Sequence, residues 1–113
     1  MSGLSKESCV PCRGGEPRLT ESEIGEKLRE VGPWEVVERS GVNRLRRKFD
    51  FRDFKGALAF SQAVGEAAEQ QGHHPRIVTQ WGSVTVDWWT HAIGGLHNND
   101  FIMAARTDAI YDT

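Results

Sequence analysis

The stretch HHPRIVTQWGSVTVDWWTH, residues 73–91, alternates apolar and polar side chains on either side of Gly82. This pattern is typical of two β-strands joined by a tight turn. In the second strand, one face is expected to hold Val84, Val86 and Trp88, and the other Thr85, Asp87, Trp89 and His91. A hairpin with arms of matched length returns close to its start. We therefore expect His91 to lie beside His73 and His74.

A first helix is predicted well before this hairpin. Thr20 followed by Glu23 matches a capping box, in which each residue satisfies a free backbone N–H at the helix start. Ile24, Leu28 and Val31 then fall on one helical face. A Gly-Pro pair follows directly and is expected to stop the helix.

Two further strands are predicted at WEVVE, residues 34–38, and NRLRRKFDF, residues 43–51, with Ser40-Gly41 as their turn. The second of these strands has an apolar face and a charged face. Leu45, Phe49 and Phe51 share the first, and Arg44, Arg46 and Lys48 share the second. Because the net charge is only −2, we expect the charged face to be a solvated sheet surface.

A second helix is predicted to begin near Arg52-Asp53 and to end at Gln71, before a glycine of the kind that commonly terminates helices. Its inward stripe is expected to be broad. The candidate members are Phe54, Ala57, Leu58, Phe60, Ser61, Val64 and Ala67. Pro75 keeps His74 out of helical dihedral angles. The adjacent histidines are thus expected on a rigid corner between helix and strand.

A third helix, NNDFIMAARTDAIYD over residues 98–112, follows a Gly94-Gly95 loop. His97 or Asn98 lies near its cap, and Asp100 lies in its first turn, where the helix dipole favours a carboxylate. The order α-β-β-α-β-β-α predicts a single α+β domain. In it, helices pack on one face of a four-stranded antiparallel sheet.

The uncovered face and the edges of this sheet predict self-association. Trp89 is expected on the face without helices, where a large aromatic side chain indicates an oligomer interface or a ligand wall. The exposed strand edges of a four-stranded sheet also invite pairing with another chain. We expect a homo-oligomer.

The size and composition of the chain fit one domain of a soluble globular protein. The chain has 113 residues, of which 38% are hydrophobic and 27% charged. We expect residues 1–18 to be a flexible N-terminal lead-in and residues 19–113 to be the folded domain. The net charge of −2 gives no reason to expect nucleic acid or an anionic membrane as partner. No apolar run suits a bilayer span or a secretion signal, so a cytoplasmic location is expected.

The two cysteines, Cys9 and Cys12, form a C-x-x-C motif in the lead-in. A redox pair would require a strand before the motif and a helix after it, but the flanks are polar and glycine-rich. A zinc site would require two more ligands, and the sequence has no second cysteine pair. The sequence therefore gives the motif little support as a functional site.

Three interpretations of the histidines remain open from the residues alone. Together with Glu69, one helical turn before His73, the three imidazoles could bind zinc, although their spacing matches no common zinc motif. They could instead cap the helix and the loops. They could also act as general acid and base, because histidine has the side-chain pKa nearest neutrality.

The motifs GHHP, W-G-x-V-T-V-x-W-W-x-H and GL-x-x-ND-F-I-M-A-A-R-T-D resemble those of the pterin-4a-carbinolamine dehydratases. The resemblance covers residues 19–113. The resemblance is greatest to the bacterial branch associated with phenylalanine hydroxylase, which is also similar in the C-x-x-C-R lead-in and at Gly72. The family dehydrates 4a-hydroxytetrahydrobiopterin to quinonoid dihydropterin, which recycles the cofactor of aromatic amino acid hydroxylases.

The resemblance also implies roles for particular residues. The catalytic set would be His73, His74 and His91. The pterin site would include Glu69, Pro75, Thr90, Ala92, Ile93 and Asp100, where Asp100 could equally serve to stabilise its helix. The resemblance implies no metal and no organic cofactor, and it implies a homodimer or homotetramer with a functional link to a hydroxylase.

A binding protein is the alternative to the enzyme. Relatives with this fold act as dimerisation cofactors of a transcription factor or as assembly factors for a carboxylase. Relatives that have lost the reaction tend to lose histidines as well. This chain keeps all three, which favours the dehydratase.

Overall fold

The two predicted hairpins form one four-stranded antiparallel sheet in the computed structural model, which describes residues 3–11 and 14–113. The strands are β1 (Glu35–Arg39), β2 (Val42–Asp50), β3 (Arg76–Gln80) and β4 (Ser83–Trp88). Their spatial order is β1-β2-β4-β3, so β2 and β4 join the hairpins at the centre. The strands β1 and β3 are therefore the edges of the sheet.

Both hairpin turns use backbone conformations that the sequence predicted. Ser40 and Gly41 have φ angles of 54° and 80°, which suit the two central positions of a type I′ turn. Gly82 has a φ of 81° in the second turn. A type I′ turn such as that at Ser40-Gly41 matches the right-handed twist of the strands that it joins.

Three α-helices complete the α+β domain and confirm the predicted order. They are α1 (Glu21–Leu28), α2 (Phe54–Gln71) and α3 (Asn98–Tyr111). The predicted capping box of α1 is present, but this helix ends before Val31. Within the described residues, no helix is both long enough and apolar enough to cross a membrane.

The helix α2 begins and ends where its flanking residues dictate. The Asp53 side chain accepts a hydrogen bond from the Gly56 N–H at 2.8 Å, which caps the first turn. At the other end, Gly72 adopts the left-handed conformation with a φ of 62°. This residue turns the chain sharply, so His73 and His74 leave the helix in a new direction.

The core lies between the sheet and the helices α2 and α3. Leu45 and Phe49 of β2 face Trp88 and Val84 of β4 in register, and all four are buried. The predicted inward stripe of α2 was too broad. Its buried residues are Ala57, Phe60, Val64 and Ala68.

Phe54 and Leu58 were wrongly predicted to face inward. Their exposed fractions are 44% and 52%, and they lie one turn apart on α2. Helical periodicity groups residues on a face, but it does not say which of two neighbouring faces meets the sheet. The narrower stripe that contains Phe60 and Val64 occupies that position.

The charged face of β2 is more organised than a solvated sheet surface, and that prediction was wrong in part. Asp87 of β4 lies opposite Arg46 and is fully buried. Arg46 forms two hydrogen bonds to its carboxylate, at 2.7 and 2.9 Å, and Arg44 forms a third at 3.3 Å. Arg44 and Arg46 thus form ion pairs with Asp87 on the outer face of the sheet.

The described part of the predicted lead-in contacts the folded domain. Leu4 begins a short 3₁₀ turn, Leu4–Lys6, and is buried in the same core cluster as α3. The Arg106 guanidinium donates two hydrogen bonds to the Glu7 carbonyl. Flexibility of residues 1–18 stays a prediction about motion, and Cys12 lies outside the described residues.

Candidate active site

The three histidines singled out by their spacing line one cavity of about 670 Å³. His73 and His74 reach it from the corner after α2, and His91 reaches it from the chain after β4. The prediction that the hairpin returns His91 to the other two is therefore confirmed. The remaining described lining residues are Cys9, Val10, Pro11, Gln71, Gly72, Thr90, Ala92 and Asn99.

His73 is paired with a buried carboxylate. Its Nε2 lies 2.6 Å from Asp100 Oδ1, and the two side chains are 10% and 0% exposed. An ionised carboxylate only accepts hydrogen bonds, so Nε2 carries the proton in this pair. In the neutral ring, Nδ1 then carries the lone pair and is the nitrogen able to accept a proton from a substrate.

The carboxylate of Asp100 is itself held by two further donors. The Thr90 hydroxyl donates to Asp100 Oδ2 at 2.8 Å, and the His97 N–H donates to the same oxygen at 2.9 Å. The second contact belongs to the capping box at the start of α3. Asp100 therefore stabilises the helix N-terminus, as one of its two expected roles required, and it also contacts His73. Its part in a pterin site stays a prediction.

The ring of His73 is also fixed by aromatic packing. It stacks on the Trp88 ring with a centroid distance of 5.8 Å and an angle of 8° between the planes. The Trp88 indole in turn donates to the Thr107 hydroxyl at 3.1 Å. Aromatic packing and hydrogen bonding together leave His73 little freedom to rotate.

His74 also has a carboxylate partner, but in an exposed setting. Its Nε2 lies 2.6 Å from Glu69 Oε1, and the two side chains are 59% and 78% exposed. The sequence had suggested that Glu69 lies near all three imidazoles through its spacing from His73. The left-handed turn at Gly72 instead directs His74 back over the last turn of α2.

His91 is the third imidazole, and it is exposed. It begins a short 3₁₀ turn, His91–Ile93, that ends at Gly94 with a φ of 60°. Its ring contacts the Trp89 ring at a centroid distance of 4.5 Å. The Arg44 guanidinium also packs on Trp89, with its Cζ 3.8 Å from the ring centroid. Trp89 is not among the described lining residues of the cavity, so its role as a ligand wall or an oligomer interface stays a prediction.

The cluster around Asp87 holds Arg44 in this place. Burial alone would raise the pKa of Asp87, but the hydrogen bonds and charge of Arg46, the hydrogen bond of Arg44 and the charge of Arg76 outweigh it. Together they hold the pKa of this carboxyl below its ordinary value. Asp87 therefore stays ionised at neutral pH and helps to keep Arg44 in position beside Trp89.

The other residues expected in the pterin site occupy different places. Thr90 and Ala92 line the cavity, whereas Asp100 lies behind it and acts on the lining through His73. Pro75 and Ile93 are not among the lining residues. Ile93 is buried, and its carbonyl accepts a hydrogen bond from Arg18 Nε at 2.7 Å, which braces the loop after His91.

The sequence analysis missed one side of the cavity. Cys9, Val10 and Pro11 line it together with Gln71 and Asn99, although the lead-in was not expected to take part. Burial raises the pKa of the Cys9 thiol to about 11, which keeps it protonated at neutral pH. Local patterns carried no signal for this contact, because its partners lie far away in the chain.

The donor groups of the described residues do not form a metal centre. No group of three or more histidine, cysteine, aspartate or glutamate side chains in residues 3–11 and 14–113 is arranged to hold a metal ion. The two carboxylate–imidazole pairs instead give His73 and His74 a carboxylate partner each. The arrangement suits proton transfer to and from an uncharged substrate.

The comparisons with known proteins give the same family as the sequence motifs. A family model described as pterin 4 alpha carbinolamine dehydratase matches residues 17–110. The chain therefore belongs to the pterin 4 alpha carbinolamine dehydratase family.

Two curated relatives are similar over nearly the whole chain, and both bear the name "Putative pterin-4-alpha-carbinolamine dehydratase". The relative from Chlorobium limicola is 54% identical over 112 residues, which cover 99% of each protein. The relative from Microcystis aeruginosa is 50% identical over 111 residues, covering 98% of this chain and 96% of the relative.

Solved structures share the fold. The transcriptional coactivator/pterin dehydratase from Brucella melitensis matches with a TM-score of 0.77 and 36% identity, covering 84% of this chain and 99% of that one. A pterin dehydratase-like protein identified as a RuBisCO assembly factor in the alpha-carboxysome matches with a TM-score of 0.60. At 23% identity over 71% of this chain and 90% of that one, this second match shows the fold alone.

Proposed function

We propose that this protein is a dehydratase that converts 4a-hydroxytetrahydrobiopterin to quinonoid dihydropterin and water. The observation that carries the proposal is the cavity into which His73, His74 and His91 converge, two of them oriented by carboxylates. Membership of the pterin 4 alpha carbinolamine dehydratase family supports the choice of substrate.

The reaction needs one proton donor and one proton acceptor. The bond between C4a and the hydroxyl oxygen breaks, and this oxygen takes a proton to leave as water. The N5–H bond gives its electron pair to the new C4a=N5 double bond, and the N5 proton passes to a base. The reaction neither gains nor loses electrons overall, and each positioned proton transfer typically contributes about 10²–10⁴-fold to the rate.

His73 is best suited to accept the N5 proton. Its Nε2 is engaged by Asp100, which leaves the Nδ1 lone pair of the neutral ring for the substrate. The buried carboxylate balances the positive charge that the ring carries after it accepts a proton. His74 and His91, which are both exposed at the cavity, remain to protonate the leaving hydroxyl.

The test is a dehydration assay in which the decrease in 4a-hydroxytetrahydrobiopterin absorbance is measured over time. The protein should accelerate the reaction beyond its spontaneous rate, and His73→Ala or His91→Ala should lower kcat about 100-fold. His97 offers a matched control because it is the histidine at the cap of α3 and does not line the cavity. His97→Asn retains a capping side chain and should leave kcat unchanged. A wild-type protein that does not accelerate dehydration refutes the proposal.

The biological setting follows from the reaction. We infer that the protein works in the cytoplasm, alongside an aromatic amino acid hydroxylase that supplies the hydroxylated pterin.

The chain should form a homodimer or homotetramer. Contact surfaces are offered by both edge strands, β1 and β3, and by the exposed Phe54 and Leu58. Sedimentation that shows a monomer at micromolar concentration would contradict the oligomer. Neither nucleic acid nor a membrane is proposed as a partner.

A second candidate function is assembly or dimerisation of another protein. The likeness in fold to the RuBisCO assembly factor supports it, as does the exposed apolar pair on α2. Capture of a stable partner that is unaffected by His91→Ala but is lost with Leu58→Glu would support this function. Capture that depends on His91 in the same way as turnover would count against it.

A further inference from the structure

We propose that the segment Cys9–Pro11, called the strap, is a wall of the substrate site and contacts the bound pterin through Val10. The strap is proposed to set how tightly the substrate is held, and not how fast it is dehydrated. This inference rests on the proposed function, because it assigns a further residue to the binding of the same substrate. The strap lines the same cavity as His73, His74 and His91.

The strap is anchored by a side chain next to Asp100, the carboxylate that contacts His73. Asn99, the neighbour of Asp100, accepts a hydrogen bond from the Val10 N–H at 3.0 Å through Oδ1. Its Nδ2 donates to the Val10 carbonyl at 2.7 Å. The amide of Asn99 thus satisfies both backbone groups of Val10, as a neighbouring strand would, and it is itself buried.

A second anchor comes from the end of α2. The Gln71 Oε1 accepts a hydrogen bond from the Cys9 N–H at 2.8 Å. Gln71 is the last residue of the helix that positions His73, and Asn99 lies in the first turn of the helix that positions Asp100. The strap is therefore bonded to both elements that build the His73–Asp100 pair, and its place relative to that pair is set.

The upstream chain holds the strap from the other side. Leu4 is buried in the core, and Arg106 of α3 binds the Glu7 carbonyl. Contacts on both sides of a short segment reduce the number of conformations that it can adopt before a ligand arrives. A wall that is held in this way can contribute affinity without a large cost in ordering.

The strap offers an apolar surface to a ligand. The Val10 side chain is 57% exposed at the cavity, although both polar groups of its backbone are satisfied. The protonated thiol of Cys9 adds no charge at neutral pH. The bicyclic substrate has a saturated C6–C7 edge that gains from apolar contact, while the imidazoles serve its polar edge. The strap therefore complements the histidines in position and in chemistry.

Val10→Ser tests the contact without loosening the anchors, since the hydrogen bonds of Val10 are made by its backbone. Loss of apolar contact should raise KM about three- to tenfold and leave kcat within about twofold. Val36→Ser is the matched control, because Val36 is 37% exposed on β1, and β1 contributes none of the described lining residues. It should change neither constant.

Hydrogen exchange provides a reading that is independent of turnover. Addition of 7,8-dihydrobiopterin, a stable reduced pterin, should slow exchange of the amides of residues 8–10 in the wild-type protein and slow it less in Val10→Ser. The wild-type protein could dehydrate its substrate while KM is unchanged in Val10→Ser and exchange in the strap is not slowed. That result would overturn the inference about the strap and leave the proposed function standing. If the wild-type protein has no activity, the proposed function fails, and the exchange experiment still decides whether the strap contacts a pterin.

Discussion

His73 and His74 are adjacent in the chain, and each has a carboxylate oxygen 2.6 Å from its Nε2, yet the two pairs differ in almost every other respect. The pair of His73 with Asp100 is buried, and its carboxylate accepts two more hydrogen bonds. The pair of His74 with Glu69 is exposed to water on both sides. Two hydrogen bonds of equal length therefore differ greatly in how firmly they hold an imidazole.

The physical cause of the difference is the solvent. Water competes for both partners of an exposed ion pair, and salt screens their attraction, so such pairs contribute only about 0–1 kcal/mol. In a buried pair, water cannot replace a lost partner, so removal of one group leaves an unsatisfied polar atom on the other. Replacement of a buried carboxylate should therefore have a larger effect than replacement of an exposed one.

Replacement of the buried carboxylate should have the largest effect. Asp100→Asn keeps the shape of the side chain but removes the charge that balances a protonated His73, and it disturbs the choice of tautomer. We expect kcat to fall about 100-fold. The measurement is the dehydration rate, with urea unfolding of the same variant to separate chemistry from stability. A kcat within threefold of wild type would break the comparison, because burial would then confer no advantage.

A buried carboxylate outside the cavity should affect stability instead. Asp87 binds Arg44 and Arg46 on the outer face of the sheet, and Asp87→Asn should lower the free energy of unfolding by about 2 kcal/mol at pH 7. The matched control is Asp50→Asn, because Asp50 is exposed at the end of β2 and should be nearly neutral. Urea unfolding measures both variants.

The loss in Asp87→Asn should also depend on pH. The pKa of Asp87 is held below its ordinary value in the folded protein, so the unfolded chain takes up the proton first as pH falls. The stabilisation by Asp87 is therefore complete above the ordinary aspartate pKa of about 3.9 and is lost as pH falls through the lower value. The difference between wild type and variant should therefore shrink as the pH falls below about 3.9. A difference that grows in acid would contradict this account.

Replacement of the exposed carboxylate should have the smallest effect. Glu69→Gln retains a hydrogen-bond acceptor for His74, and both side chains already contact water. We expect kcat/KM to change less than threefold, and the change should be smaller still at high salt. A loss as large as that of Asp100→Asn would show that the exposed pair orients its imidazole as firmly as the buried one.

The parts of the molecule that local rules govern could be predicted from the sequence. The Ser40-Gly41 turn, the Asp53 cap and the Gly72 terminus each depend on a few consecutive residues. From these the two hairpins follow, and with them the return of His91 to the histidine pair. The core face of β4 was also predictable, since alternation in a strand leaves only two choices of face.

The remainder depends on distant partners. Val10 is anchored by Asn99, 89 positions away in the chain, and no pattern within the lead-in indicates such a contact. Glu69 meets His74 and not His73, because the direction of the chain after Gly72 decides which imidazole turns back. Phe54 and Leu58 were placed inward because the period of a helix does not identify the face that packs.

The cavity joins segments from most of the length of the chain: residues 9–11, 71–74, 90–92 and 99. No short fragment contains all of these segments. Any opening that separates the start of α3 from the end of α2 therefore empties the cavity, even if most of the sheet survives. By mass action, a pterin bound there stabilises these long-range contacts against the open state. Occupancy of the cavity thus makes the chain unfold more cooperatively. Thermal unfolding with and without ligand reports the change in stability and the change in cooperativity together.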